Sequence, residues 1–262
     1  LPHYLHDTVT LEVAKRGIHV LCEKPVTVNY QRSQALVDDL KALNNGAKVA
    51  ICFQNRLNAS VIELKRILQE EDTTDIVAVK GLVAWYRGEE YYEEKPWRGT
   101  IEEAGSGTII NQSIHTLDLL HYVIDDQWVD VRASVHNILD YDIEVEDSAN
   151  ADFTFEKGAH GLFYATNAYY GNDSVELQVV TKQSRYTIKD NKLFNDEWQC
   201  LAEDAKLPDS KIYYGPGHQD CMEQFYKAIN EDTNDYCSVA DALPTMEMID
   251  AMKRSSKENK RI

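Results

Sequence analysis

Lys24 stands beside a carboxylate and directly before a proline, in Gly17-Ile18-His19-Val20-Leu21-Cys22-Glu23-Lys24-Pro25. The apolar residues ahead of it read as a short buried strand. A lysine at the end of a parallel strand faces the crevice where α/β proteins bind ligands. Partly desolvated and next to Glu23, such a lysine can act as a general acid or base, or hold a substrate hydroxyl. On position alone it reads equally well as a surface lysine in a turn. The second candidate is His115, in Asn111-Gln112-Ser113-Ile114-His115-Thr116-Leu117-Asp118. On one continuous helix, Asn111, His115 and Asp118 fall at i, i+4 and i+7 and share a stripe. His115 is then placed to shuttle a proton, with Asp118 orienting it. The entry Gly105-Ser106-Gly107 leaves room for a ligand at the helix N-terminus. The bland alternative for His115 is a satisfied core histidine, the commoner fate in an apolar helix. His121 lies on another face and reads as structural.

Weaker signals flank these two. Arg98, in Trp97-Arg98-Gly99, can grip a carboxylate or phosphate, or simply pack on the tryptophan. Gln54-Asn55-Arg56 follows a strand end and is polar where a crevice would lie. Tyr213-Tyr214-Gly215-Pro216-Gly217-His218 reads as a tight turn presenting aromatic and imidazole groups. No metal site is expected. There is no HExxH, no histidine pair at ligand spacing and no Asp-rich loop, and the five cysteines are widely spaced with no CxxC. The absence of GxSxG argues against a serine hydrolase.

The elements that must position these groups change style along the chain. Residues 7–16 have helical character, stopped at Gly17. A strand over 19–22 ends at Pro25. Asn29 is placed to cap a helix running to Leu43, and residues 48–53 form a second apolar strand. Helix and strand in alternation imply a parallel sheet with right-handed crossovers. A helix over 60–71 follows. Beyond it, alternating runs at 76–87, 129–138, 148–155, 159–166, 175–181 and 184–188 predict an antiparallel sheet. One apolar helix, 108–124, interrupts it, and helices over 219–229 and 241–253 close the chain. The fold expected is α/β plus α+β: an incomplete Rossmann-like parallel domain, then a large, mostly antiparallel open sheet with helices on one face. The division expected is 1–56 and 57–262, with the last helix a candidate to pack back on the first domain.

Composition narrows the function. The 262 residues carry 44 Asp and Glu against 27 Lys and Arg, a net charge of -17. That argues against nucleic acid and against anionic membrane surfaces. No run of about 18 apolar residues predicts a membrane span, and no signal peptide is visible. With an odd, scattered set of cysteines, the expected setting is a reducing cytoplasm.

Taken in order, the motifs resemble the Gfo/Idh/MocA family of NAD(P)-dependent oxidoreductases. They are Leu1-Pro2-His3-Tyr4-Leu5-His6, His19-Val20-Leu21-Cys22-Glu23-Lys24-Pro25, Gln54-Asn55-Arg56, Trp97-Arg98-Gly99-Thr100, Asn111 through Asp118, and Tyr214-Gly215-Pro216-Gly217-His218. The resemblance implies hydride transfer between NAD or NADP and a hydroxyl or carbonyl carbon of a sugar or polyol. It implies that Lys24 and His115 flank the reacting carbon, one positioning the hydroxyl and the other taking its proton. It places Pro2, His6, Glu23, Lys24, Gln54, Trp97 and Arg98 near the dinucleotide, and Arg56, Asn111, His115, Tyr214 and His218 near the substrate. Many members carry Asp where this chain has Asn111, so any such proton role passes to Lys24, His115 or both. The Lys24-Pro25 peptide is expected to be cis. A homodimer or homotetramer through the antiparallel sheet is implied as well. No GxGxxG occurs, so the first βαβ units, with the phosphate-binding turn and the acidic ribose-reading residue, are expected to lie upstream of Leu1. The alternative is a non-catalytic remnant acting as an oligomerising or carbohydrate-binding module.

Overall fold

The computed structural model describes residues 1–70, 75–205 and 217–262. The chain opens with a 3-10 turn, His3–Leu5, and helix α1, His6–Ala14. Strand β1, Val20–Cys22, follows, then α2, Tyr30–Leu43, and β2, Val49–Ile51. β1 and β2 pair in parallel, Val20 opposite Val49 and Cys22 opposite Ile51. The ends of α2 are set by its own residues. The Asn29 side chain accepts from the Arg32 N–H at 2.9 Å, and Asn44 stops the helix in the left-handed region at φ 42°. All three residues of β2 are buried, as in a strand covered on both faces. A 3-10 turn, Gln54–Leu57, leads into α3, Ala59–Glu70.

The rest builds an eight-stranded sheet. β3 is Ile76–Ala84. Four helices come next: α4, Glu90–Glu93; α5, Ile101–Ala104; α6, Thr108–Asn111; and α7, Ile114–Ile124. Then come β4, Trp128–His136; β5, Ser148–Phe155; β6, His160–Thr166; β7, Glu176–Thr181; β8, Arg185–Lys189; β9, Lys192–Phe194; and β10, Cys200–Glu203. Helices α8, Gly217–Asn230, and α9, Leu243–Glu258, complete the elements. The spatial order is β10-β9-β8-β7-β3-β6-β5-β4. β3 lies mid-sheet, antiparallel to β7 and parallel to β6. The sheet is therefore mixed, with one parallel pair among antiparallel neighbours.

Three departures from the sequence expectation matter. β9 and β10 are additional strands, and Asp190 and Asn191, both at positive φ, make the tight turn from β8 into β9. The long apolar helix is broken at Gln112-Ser113. There the Ser113 hydroxyl bonds back to the Thr108 carbonyl at 2.8 Å and competes with the helical ladder. The third departure concerns β3, which ends at Ala84 rather than Arg87.

Helices α3, α7 and α9 pack on the sheet through a shared core containing Leu64, Leu117, Leu120, Met246 and Met252. Each such fully buried side chain contributes about 1.5–3 kcal/mol. α9 also lies against α2. Asp250 accepts the Tyr30 N–H at 3.1 Å, and Ser255 accepts the Ala133 N–H of β4 at 3.0 Å. One helix thus touches both the helix that links the parallel pair and the large sheet.

Candidate active site

The carboxyl ends of β1 and β2 point toward the N-terminal end of α7, and the titratable groups gather there. The Lys24-Pro25 peptide is cis. The Lys24 ammonium donates to the Asn111 carbonyl at 2.9 Å. That carbonyl is available because the chain breaks after α6 and its ladder stops. Burial pulls the Lys24 pKa down to about 8, against the opposing charge of Glu23.

His115, the second residue of α7, is buried. Its Nε2 lies 3.3 Å from the Gln54 amide nitrogen, and its ring meets Phe53 edge-on at 5.8 Å. Burial, and then the Lys24 charge, hold its pKa well below the usual imidazole value. The imidazole is therefore neutral. Gln54 follows β2, so β2 sets where the histidine can sit.

Asp118 does not orient His115, contrary to the stripe expected from the spacing. Its carboxylate is gripped by Arg56 through Nε at 2.7 Å and Nη2 at 2.6 Å, and accepts from the Thr245 hydroxyl at 2.7 Å. Burial pushes the Asp118 pKa up, but the Arg56 charge and hydrogen bonds outweigh it and hold the carboxyl well below its ordinary value. Arg56 was expected near substrate. Its guanidinium is instead committed to Asp118 and to the Asp241 carbonyl at 3.1 Å, and lies 4.5 Å from the centre of the Tyr122 ring. This buried pair locks the turn after β2 to α7.

The glycine-rich entry to α6 does not leave room for a ligand either. The buried Glu146 carboxylate fills it, accepting from Gly107 N at 2.8 Å, Ile109 N at 3.0 Å and the Ser106 hydroxyl at 2.8 Å. A Cβ on Gly107 would come within 1.8 Å of the Glu146 carbonyl oxygen, so glycine is required for the close approach. Glu146 carried no signal in the sequence, being isolated from any motif.

On the other side of Lys24, His6 Nδ1 donates to the Pro25 carbonyl at 2.7 Å, and His3 donates to the Ala104 carbonyl at 2.9 Å. The His3 ring packs between His6 and Trp97, at 5.6 and 4.8 Å between ring centres. Burial pulls the His3 pKa down to about 3. Pro2 precedes this cluster. Arg98 packs on Tyr91 rather than on Trp97, with its guanidinium 4.0 Å from the ring centre. Arg87, Tyr91, Arg98, Asn111 and Gln112 line a cavity of about 450 Å³. His218, at the start of α8, lies 3.7 Å from the Glu23 carboxylate. Tyr214 lies outside the described residues.

The structure thus brings together Glu23, Lys24, Gln54, Asn111, His115 and His218, with His6 and Trp97 alongside. It sets Arg56 apart. Cys52 and Cys221 also reach this cluster, through Glu23 and His218, and no sequence spacing connects them.

A parallel strand–helix–strand unit followed by a large mixed sheet with helices is a Rossmann-like α/β plus α+β architecture. Two family models match: "Oxidoreductase family, NAD-binding Rossmann fold" over residues 1–51, and "GFO/IDH/MocA C-terminal domain" over residues 61–187. The chain belongs to the Gfo/Idh/MocA oxidoreductase family. Levoglucosan dehydrogenase of Pseudarthrobacter phenanthrenivorans is 24% identical over 242 residues, covering 83% of this chain and 61% of that protein. The 1,5-anhydro-D-fructose reductase of Ensifer adhaerens is 26% identical, covering 61% of this chain and 46% of that protein. The WlbA dehydrogenase of Bordetella pertussis, solved with NADH and UDP-GlcNAcA, superposes with a TM-score of 0.86 at 25% identity, over 100% of this chain and 77% of that one. The chain therefore spans roughly half to three-fifths of the length of the two curated relatives.

Proposed function

We propose that this chain carries the proton-handling half of an oxidoreductase acting on a sugar or polyol with NAD or NADP. The observation that carries this is the anchoring of Lys24 on the Asn111 carbonyl, at the strand ends that also hold His115 through Gln54. The relatives' activities and the NADH in the WlbA complex support it.

The donor set fits the nicotinamide end of a dinucleotide. Glu23 and Gln54 follow the two strands and His6 bonds the Pro25 carbonyl, where α/β sheets take nucleotides; Pro2, Trp97 and Arg98 are assigned to the same dinucleotide. When bound, the nicotinamide supplies the hydride acceptor or donor. The protein's part is to hold the hydroxyl and move its proton. With a pKa of about 8, Lys24 can give up and regain a proton near neutrality. Neutral His115 holds the hydroxyl oxygen against the reacting carbon. Asn111 and His218 border the substrate, and the cavity beside Arg98 accommodates the remainder of the sugar.

The test is titration calorimetry with NADH and NADPH, together with spectrophotometric assay of a panel of aldoses and polyols, on the polypeptide containing this chain. Micromolar binding and turnover support the reading. Binding of neither nucleotide, with no turnover, overturns it in favour of a non-catalytic module. One observation favours such an oligomerising role in addition: Val77, Leu162 and Tyr164 are exposed on β3 and β6. A homodimer or homotetramer through this sheet is checked by sedimentation. Among the described residues, no helix is long and apolar enough to cross a membrane, and five free thiols suit a reducing cytoplasm. A division near residues 56 and 57 is the proposed domain boundary.

A further inference from the structure

We propose that Glu23, Cys52, His218 and Cys221 form a binding site for a thiophilic divalent cation of the zinc class. Donor atoms of Glu23, Cys52 and His218 all lie within 4.8 Å of one another. The Cys221 thiol interacts with that of Cys52. His218 and Cys221 are three residues apart in the first turn of α8, so both side chains lie on one face. Two thiols, an imidazole and a carboxylate are the donors zinc takes, in the number that fills a tetrahedron. Thiolates disfavour magnesium and calcium, which take oxygen ligands.

The placement is built by the fold. Glu23 follows β1 and Cys52 follows β2, and these ends are fixed by the Cys22–Ile51 register. The start of α8 is pressed against the same strand end, because a Cβ on Gly217 would come within 2.2 Å of the Gln54 carbonyl oxygen. Cys52 and Cys221 are buried, while the His218 and Glu23 side chains are about half exposed. The buried pair is thus preset and the exposed pair can swing inward. Ligand atoms around zinc stand about 3.3–3.8 Å apart, so drawing Glu23, Cys52 and His218 onto one ion calls for movements of about 1 Å. His218 Nε2 lies 3.7 Å from the Glu23 carboxylate, so these two already face each other.

Binding is a proton-for-metal exchange with no redox step. One dication displaces the protons of two thiols, which leave to solvent, and accepts lone pairs from the imidazole and carboxylate. The cation then ties the Glu-Lys-Pro turn to α8. The sequence showed no site because the donors come from three separated segments. This inference does not rest on the hydride-transfer reading.

The test is anaerobic titration of the purified chain with Co²⁺ under a thiol-free reductant, read by the thiolate-to-cobalt charge-transfer band. The expected result is a band that saturates at a single equivalent and is abolished by Zn²⁺. Cys52→Ser and Cys221→Ser should each remove about half its intensity, and Cys200→Ser should leave it unchanged. His218→Ala should weaken Zn²⁺ affinity at least about tenfold. Because His218 is half exposed, that variant keeps the test open if a cysteine variant fails to fold. No charge-transfer band, a band lost in Cys200→Ser, or unchanged affinity in His218→Ala each overturns the site.

Discussion

The Lys24 ammonium donates to the main-chain carbonyl of Asn111 at 2.9 Å, across 87 residues of sequence. The partner is a backbone atom, so the side chain at 111 is free of this duty. An Asp at 111 and this chain's Asn111 are equally able to hold the lysine. The anchor depends on the break between α6 and α7, not on the identity of residue 111.

Replacing Lys24 by Met keeps the bulk of the side chain and removes the charge. Turnover of the polypeptide containing this chain should fall by about 10²–10⁴. Nucleotide affinity by calorimetry should change far less. Near wild-type turnover in a folded Lys24→Met protein would remove Lys24 from the mechanism.

The pH dependence follows from the lowered Lys24 pKa of about 8. In the oxidation direction a neutral amine must take the proton, so kcat/KM should rise with pH and level off above about 8. In the reduction direction the ammonium is the donor, and kcat/KM should fall above the same value. A profile flat from 6 to 10 in both directions contradicts this assignment.

Breaking the Arg56–Asp118 pair should be costly for stability. Asp118→Asn leaves a buried guanidinium uncompensated, with an expected loss of about 3–5 kcal/mol in chemical denaturation. The double change Arg56→Met with Asp118→Leu should restore much of it. The Asp118 pKa is depressed in the folded state. Its contribution is therefore fully present above the ordinary carboxylate value of 3.8 and is lost as pH falls toward the folded value. The Asp118→Asn protein should lack that acid-dependent component.

Glu146 organises the start of α6 from a distant loop. Glu146→Ala strips acceptors from two N–H groups and a hydroxyl, and should cost about 1–3 kcal/mol of stability. Glu146→Gln keeps one acceptor oxygen and should cost less. Equal melting temperatures for wild type and Glu146→Ala would show that water replaces the carboxylate without loss.

Local signals carried much of the fold. β5 spans the residues its alternation marked, and α2 begins and ends at the asparagines that cap it. What local pattern could not show came from pairing across distance. β9 and β10 are three and four residues long, too short for alternation to register. The stripe through Asn111, His115 and Asp118 required a continuous helix, and one serine hydroxyl bonding backward ended it. Arg56 reaches Asp118 across 62 residues, so its commitment was invisible until the two elements were placed together. That Lys24 and His115 come together was foreseen only through motif resemblance, which encodes such long-range pairings where periodicity cannot.

The double contact of α9 has a consequence for the order in which the protein assembles. Synthesis proceeds from the N-terminus, so residues 243–258 emerge after the β1–β2 unit and all eight strands of the sheet. Thr245 then braces Asp118 while Asp250 holds the first turn of α2. Until that docking, the lysine and the histidine belong to two bodies without their final brace. The separation between Lys24 and His115 is thus fixed last, by a helix that contributes neither of them.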